Sequence, residues 1–125
     1  MSLDTVPWAT EDEEQAFLFD WVELNLGRIP ELGLLFHIPN GGARLKSEAA
    51  RFKRLGVKAG VPDLFLPVAR KGCHGLFIEM KRKRGGKTSP AQRKWLDDLF
   101  LQGYLAVRCD GAEEACAVLE NYFGL

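Results

Sequence analysis

From Glu11 to about Leu26 the apolar residues recur at helical spacing, with Phe17, Leu18, Trp21, Leu24 and Asn25 along one side, which predicts an amphipathic helix. Trp8, Phe19 and Val22 are apolar residues left outside that stripe. Thr10 stands as N-cap, and Glu13 three residues on completes a capping box. Leu34 to Ile38 reads as a strand ended by Pro39-Asn40-Gly41-Gly42, a turn whose glycines permit close backbone approach. A helix follows from about Leu45 to Leu55, with Lys46, Arg51, Lys53 and Arg54 on its polar sides. Gly56 and Gly60 then bracket a tight passage into the strand Asp63-Leu64-Phe65-Leu66, and Lys71 to Gly75 turn the chain into Leu76–Lys81, so these two strands form a predicted hairpin. Ser89-Pro90-Ala91-Gln92 opens the next helix, which carries Trp95, Leu96, Leu99 and Phe100 and stops at Gly103. Tyr104 to Cys109 reads as a strand, and Asp110 with Glu113 caps a last helix through Ala115, Val118, Leu119, Tyr122 and Phe123. The order is α, β, α, β, β, α, β, α, without repeat or linker: one mixed α/β domain over residues 1–125.

Two carboxylates interrupt strands that otherwise read as buried. Side chains alternate across a strand, so Leu76, Ile78 and Met80 share one face of the 76–81 strand while Phe77, Glu79 and Lys81 share the other. The same rule places Leu64 and Leu66 together and Asp63 opposite them. If the strands pair, Asp63, Glu79 and Lys81 converge, giving two acids for a divalent metal with an ammonium beside them. Magnesium takes oxygen ligands and keeps several waters, so one or two carboxylates plus a substrate phosphate suffice. The competing reading is an ordinary Glu79–Lys81 surface pair, with Asp63 as a turn residue after Pro62. Order and face geometry together favour the metal site. Glu14, at the N-terminal end of the apolar stripe, reaches that site or simply complements the helix dipole. Gln92 is accounted for by the capping box alone.

Formal charge is zero overall, but its distribution is uneven. Residues 44 to 94 hold fifteen of the seventeen Lys and Arg and only three acids, Glu48, Asp63 and Glu79. A basic middle segment is the footprint of a polyphosphate partner, because neutralising phosphates releases counterions. Two of its three acids are the candidate ligands. The basic loop Arg82-Lys83-Arg84-Gly85-Gly86-Lys87, immediately after the Glu79 strand, suits a phosphate backbone.

Three cysteines, Cys73, Cys109 and Cys116, lack Cys-x-x-Cys spacing and their odd count argues against a disulfide framework, which points to a reducing compartment. With only His37 and His74, a zinc site would need an unusual ligand mix. No apolar run reaches the roughly 18 residues of a membrane span, and Met1-Ser2-Leu3-Asp4 lacks the basic start of a secretory signal, so the expectation is a cytoplasmic protein without a membrane partner.

Pro62-Asp63 and Glu79-Met80-Lys81 resemble the two halves of the PD-(D/E)xK nuclease motif. Asn40-Gly41-Gly42, Gly56-Val57-Lys58-Ala59-Gly60-Val61-Pro62-Asp63-Leu64, Glu79-Met80-Lys81, Ser89-Pro90-Ala91-Gln92 and Gly103-Tyr104 together look like the VRR-NUC domain, over about Glu14 to Tyr122. The resemblance implies a restriction-endonuclease-like core with a mixed sheet flanked by helices, and a nuclease dependent on magnesium or manganese. It implies that Asp63, Glu79 and the Met80 carbonyl bind metal, that Lys81 positions or activates water, that Glu14 is the first-helix acid and that Gln92 is the glutamine following the lysine strand. Asn40, Gly41, Gly42, Arg44, Lys46, Lys53, Lys58, Arg82, Lys83, Arg84 and Lys87 are then the candidate DNA contacts. Short members of the family, of phage or bacterial origin, are similar to dimeric Holliday-junction resolvases, so the expected partners are branched DNA and a second copy, with surface from Trp8, Phe19 and Val22. A non-catalytic junction-binding module is the alternative.

Overall fold

The computed structural model describes residues 7–39 and 46–125, with the side chains of Lys46 and Ser47 excepted. Asn40, Gly41, Gly42, Arg44 and the Lys46 side chain therefore lie outside the described residues. Helix α1 spans Glu11–Asn25, and a short 3-10 turn over Pro30–Leu34 precedes strand β1, Phe36–His37. Helix α2 (Lys46–Arg54), β2 (Leu64–Leu66), β3 (Leu76–Lys81), α3 (Pro90–Leu101), β4 (Leu105–Asp110) and α4 (Ala112–Tyr122) follow. The four strands lie in the order β1-β2-β3-β4, antiparallel except for the parallel pair β3 and β4. This is a mixed sheet flanked by helices, the α/β architecture expected from the order of elements.

The alternation expected of β2 and β3 is realised. Leu64, Leu66, Leu76, Ile78 and Met80 are fully buried and pack with Leu18 and Val22 of α1 and Ala115, Leu119 and Tyr122 of α4. Burying each such large apolar side chain is worth roughly 1.5–3 kcal/mol, so this layer fixes which face of β3 is left for Glu79 and Lys81. On the other face Phe65 stacks on Phe77 with ring centroids 4.2 Å apart, and Tyr104 meets Phe77 edge-on at 5.3 Å.

Four local expectations are corrected. The buried side of α1 is Glu14, Leu18 and Val22, whereas Phe17 and Leu24 are 51% and 85% exposed. Apolar residues surround much of this helix, so periodicity alone does not select the side that α4 and β3 cover. Val22, and in part Phe19, is thereby withdrawn from any dimer surface. The segment before β1 coils because Pro30 starts a helical turn and Leu32 is buried, leaving a strand of two residues. Asp110 does not cap α4: it ends β4 and pairs with Arg108 at 2.8 Å, while Gly111 occupies the N-cap position.

The passage into β2 explains its glycine. Gly60 has φ +86°, and a Cβ there would lie 2.7 Å from the backbone carbon of Ala91. The loop thus rests directly on the start of α3, and Trp95 Nε1 fixes it by donating to the Ala59 carbonyl at 3.1 Å.

Candidate active site

Leu64 pairs with Ile78 across β2 and β3, which sets Asp63 opposite Glu79 at the end of the pair. Asp63 is anchored at both ends. Its backbone carbonyl accepts from the Ile38 N–H at 2.7 Å and lies 3.0 Å from His37 Nδ1, and its Oδ2 accepts from the Met80 N–H at 2.8 Å. Glu79 is 1% exposed, and its Oε1 accepts from Gln92 Nε2 at 2.7 Å. Lys81 is also buried; its Nζ lies 3.7 Å from Glu79 Oε1 and donates to Gln92 Oε1 at 3.1 Å. Gln92 Oε1 also accepts from the Ser89 N–H at 2.9 Å, and Ser89 Oγ accepts from the Gln92 N–H at 3.1 Å. The capping residue of α3 is therefore also the bridge between Glu79 and Lys81. Gly86 lies against the Lys81 stem, where a Cβ would be 2.9 Å from Lys81 Cβ.

Burial pushes the Glu79 carboxyl up to about 8, with the Asp63 carboxylate adding to the rise and Lys81 opposing it. Asp63 is also raised, chiefly by burial, against the lowering effect of the Met80 N–H. Two acids in contact cannot both stay ionised at low cost. Glu79 Oε2 is buried and accepts no hydrogen bond from the described residues. Only a proton or a cation reconciles these groups.

The sequence profile of the VRR-NUC domain matches residues 9–113. The chain belongs to the VRR-NUC domain family. A solved structure described as a VRR_NUC domain protein is similar at 34% identity with a TM-score of 0.79, covering 94% of this chain and 90% of that one. No curated protein matches significantly.

A VRR-NUC domain is a nuclease-like, DNA-acting unit, and such domains generally use divalent metals. The donor set fits a hard cation: two adjoining carboxyls with raised affinity for positive charge, and the unsatisfied Glu79 Oε2. Among the described residues no group of three or more His, Cys, Asp or Glu side chains is arranged as a metal cage. Two carboxylates with substrate oxygens and waters are enough for magnesium.

The structure separates the acids of α1. Glu14 is buried, and its Oε1 accepts from the Ala112 N–H, the first residue of α4, at 3.1 Å. Its carboxylate is thus a cap supplied by one helix to another, a role the sequence reading did not assign. Glu11, at the start of the same helix, lines a cleft together with Lys81. Partial desolvation raises its carboxyl, Lys81 lowers it and Asp63 raises it further. The signal available was position: Glu11 is the residue after the N-cap, three before Glu14 and so nearly a full turn earlier on the same side. Of the candidate DNA contacts that are described, Lys53, Lys58, Arg82, Lys83, Arg84 and Lys87 are all exposed, with Lys83 Nζ 3.9 Å from Glu113. No helix of the described residues is long and apolar enough to cross a membrane.

Proposed function

We propose that this chain is a metal-dependent endonuclease that hydrolyses phosphodiester bonds in branched DNA, four-way junctions foremost. The carrying observation is the hydrogen-bonded set Asp63, Glu79, Lys81 and Gln92, with Glu79 Oε2 left unsatisfied. Asp63, Glu79 and the Met80 carbonyl would hold magnesium or manganese, with Glu11 in place of Glu14 as the additional acid from α1. When bound, the cation polarises the phosphodiester and makes a water more acidic. Lys81, fixed by Gln92, presents its ammonium where negative charge accumulates on the phosphoryl oxygens and orients the attacking water. Gln92 keeps Glu79 and Lys81 in register. The basic segment supplies sequence-independent affinity through phosphate neutralisation.

Symmetric cutting of a four-way junction needs two active sites about a two-fold axis, so the working unit is a homodimer. Exposed Phe17 and Leu24, seven residues apart on α1, offer apolar surface for the second copy. The place of action is the cytoplasm of a bacterial or phage-infected cell, in keeping with three free cysteines.

The test is incubation with magnesium or manganese and a panel of four-way, flap, splayed and linear DNAs, alongside Glu79→Ala. Metal-dependent, symmetric nicks near the junction centre, abolished in the variant with DNA binding retained, are expected. Tight binding with no product under any metal would leave a junction-binding module instead.

A further inference from the structure

A cleft of about 670 Å³ opens between the segment leading into α1 and the loop after β3, and Lys81 and Glu11 belong to its lining as well as to the active site. Its other walls include Trp8, Arg82, Arg84 and Lys87. Trp8 is 53% exposed, and the Arg84 guanidinium carbon lies 4.3 Å from the centre of its ring. The loop that carries Arg84 is held in shape from below. Arg108, on β4, donates to the Gly86 carbonyl at 2.7 Å and to Thr88 Oγ1 at 2.9 Å, and is itself set by Asp110 at 2.8 Å. Arg82 donates back to the Gly85 carbonyl at 3.3 Å. The loop therefore presents a formed surface to the cleft.

We infer that this cleft receives one unpaired nucleotide next to the scissile phosphate, its base against the Trp8–Arg84 pair and its flanking phosphates against Arg82 and Lys87. The inference rests on the nuclease reading for the position of the scissile phosphate, and it supplies what that reading lacks, a source of structure selectivity. An indole with a guanidinium across its face is a platform for any base, because every base has a π face and none needs a hydrogen-bond match. The volume falls in the range of ligand-sized pockets, roughly 300–1,000 Å³. A linear duplex keeps its bases stacked and has nothing to place there. Junction centres, flaps and gaps offer unstacked nucleotides, and those seated in the cleft would bring the adjacent phosphate to Lys81.

The experiment uses the full chain without divalent metal, so that nothing is cut. Trp21→Phe with Trp95→Phe leaves Trp8 as the fluorophore. Its emission is expected to be quenched by a duplex with a thymidine tail and by a four-way junction, and much less by a blunt duplex or by the same tail made abasic. Independently, in the otherwise unaltered chain, Trp8→Ala and Arg84→Gln should weaken binding of the tailed duplex about tenfold, the order of one lost base–aromatic stack, with blunt-duplex affinity unchanged for Trp8→Ala. Equal affinity of wild type and Trp8→Ala for tailed DNA, or quenching that ignores the bases, overturns the platform. If cleavage remains metal- and Glu79-dependent in that case, the nuclease reading survives it. If quenching follows the unpaired base while no metal yields product, the platform stands and the nuclease reading falls.

Discussion

Lys81 and Glu79 make opposite demands on their surroundings, and Gln92 answers both. Its amide N–H donates to the carboxylate and its carbonyl accepts from the ammonium, which a shorter or purely apolar residue could not do. Lys81→Met should lower turnover by about two orders of magnitude or more while DNA affinity changes little, because in the proposed mechanism the ammonium faces charge that develops during reaction. Comparable losses in both, read by single-turnover cleavage and by binding without metal, would mark it as a phosphate contact only. Glu79 carries a second consequence. Its carboxyl titrates near 4.5 in the unfolded chain and at about 8 in the fold. The folded state holds the proton over that interval and the unfolded state does not, so metal-free stability falls as pH rises from about 4.5 through about 8. The raised Asp63 carboxyl acts in the same direction. Urea midpoints should drop across this window, Glu79→Gln should flatten the decline, and magnesium or manganese should reverse it in wild type alone. A flat profile for the metal-free wild-type protein would contradict the burial of Glu79 beside Asp63.

At the scale of elements, α1 carries two acids nearly a turn apart, Glu14 as a cap on α4 and Glu11, in the proposed mechanism, as the additional acid of the site. Glu14 closes the N-terminus of α4, whose own N-cap position holds Gly111 and offers no side-chain acceptor. A carboxylate there satisfies an N–H that the helix cannot and favours the positive end of its dipole. Glu14→Ala should therefore cost about 1–2 kcal/mol of stability, since it removes a cap and leaves a partly buried donor without its partner. Glu11→Gln should leave the melting temperature within about a degree of wild type while lowering metal-dependent cleavage, since this side chain is exposed and makes no comparable hydrogen bond among the described residues. Thermal melts and cleavage assays on the two variants separate the roles. An inverted result, with cleavage lost through Glu14→Gln in a chain of unaltered stability, would return the site to Glu14. The same helix shows why period alone does not select its buried side: Phe17, Leu18, Phe19, Trp21, Val22 and Leu24 spread over more than half of its circumference. Packing against α4 and β3 selected Leu18 and Val22 and left Phe17 and Leu24 outside.

Across the whole molecule, charge is zero in sum and segregated along the chain, and the fold sets the basic loop 82–87 in a cleft with Lys81, whose ammonium lies 3.7 Å from Glu79. Affinity for DNA should thus fall steeply and log-linearly with salt, while metal binding at the acids is affected far less. Light scattering of the intact protein should give twice the monomer mass, and Phe17→Ser with Leu24→Ser should reduce it to one. A monomer at working concentration in wild type would remove the basis for paired incisions.

The sequence by itself determined the secondary-structure order, the apolar face shared by β2 and β3, the capping boxes at Thr10 and Ser89, and the identity of the acids on the opposite face of the strand pair. These follow from period and local hydrogen bonding, which act over a few residues and leave their mark in spacing. The family resemblance came from the same source, as an ordered set of short phrases. That Glu14 caps α4 while Glu11 lines the cleft beside Lys81, that Gln92 joins Lys81 to Glu79, that Trp8 meets Arg84, and that Arg108 braces the loop between them were decided only in three dimensions. Each depends on how a helix is rotated or where a loop crosses a strand remote in sequence. Such choices are made by the packing of the entire core, where several rotations of an apolar-rich helix satisfy the local pattern equally well and only one also fits the sheet.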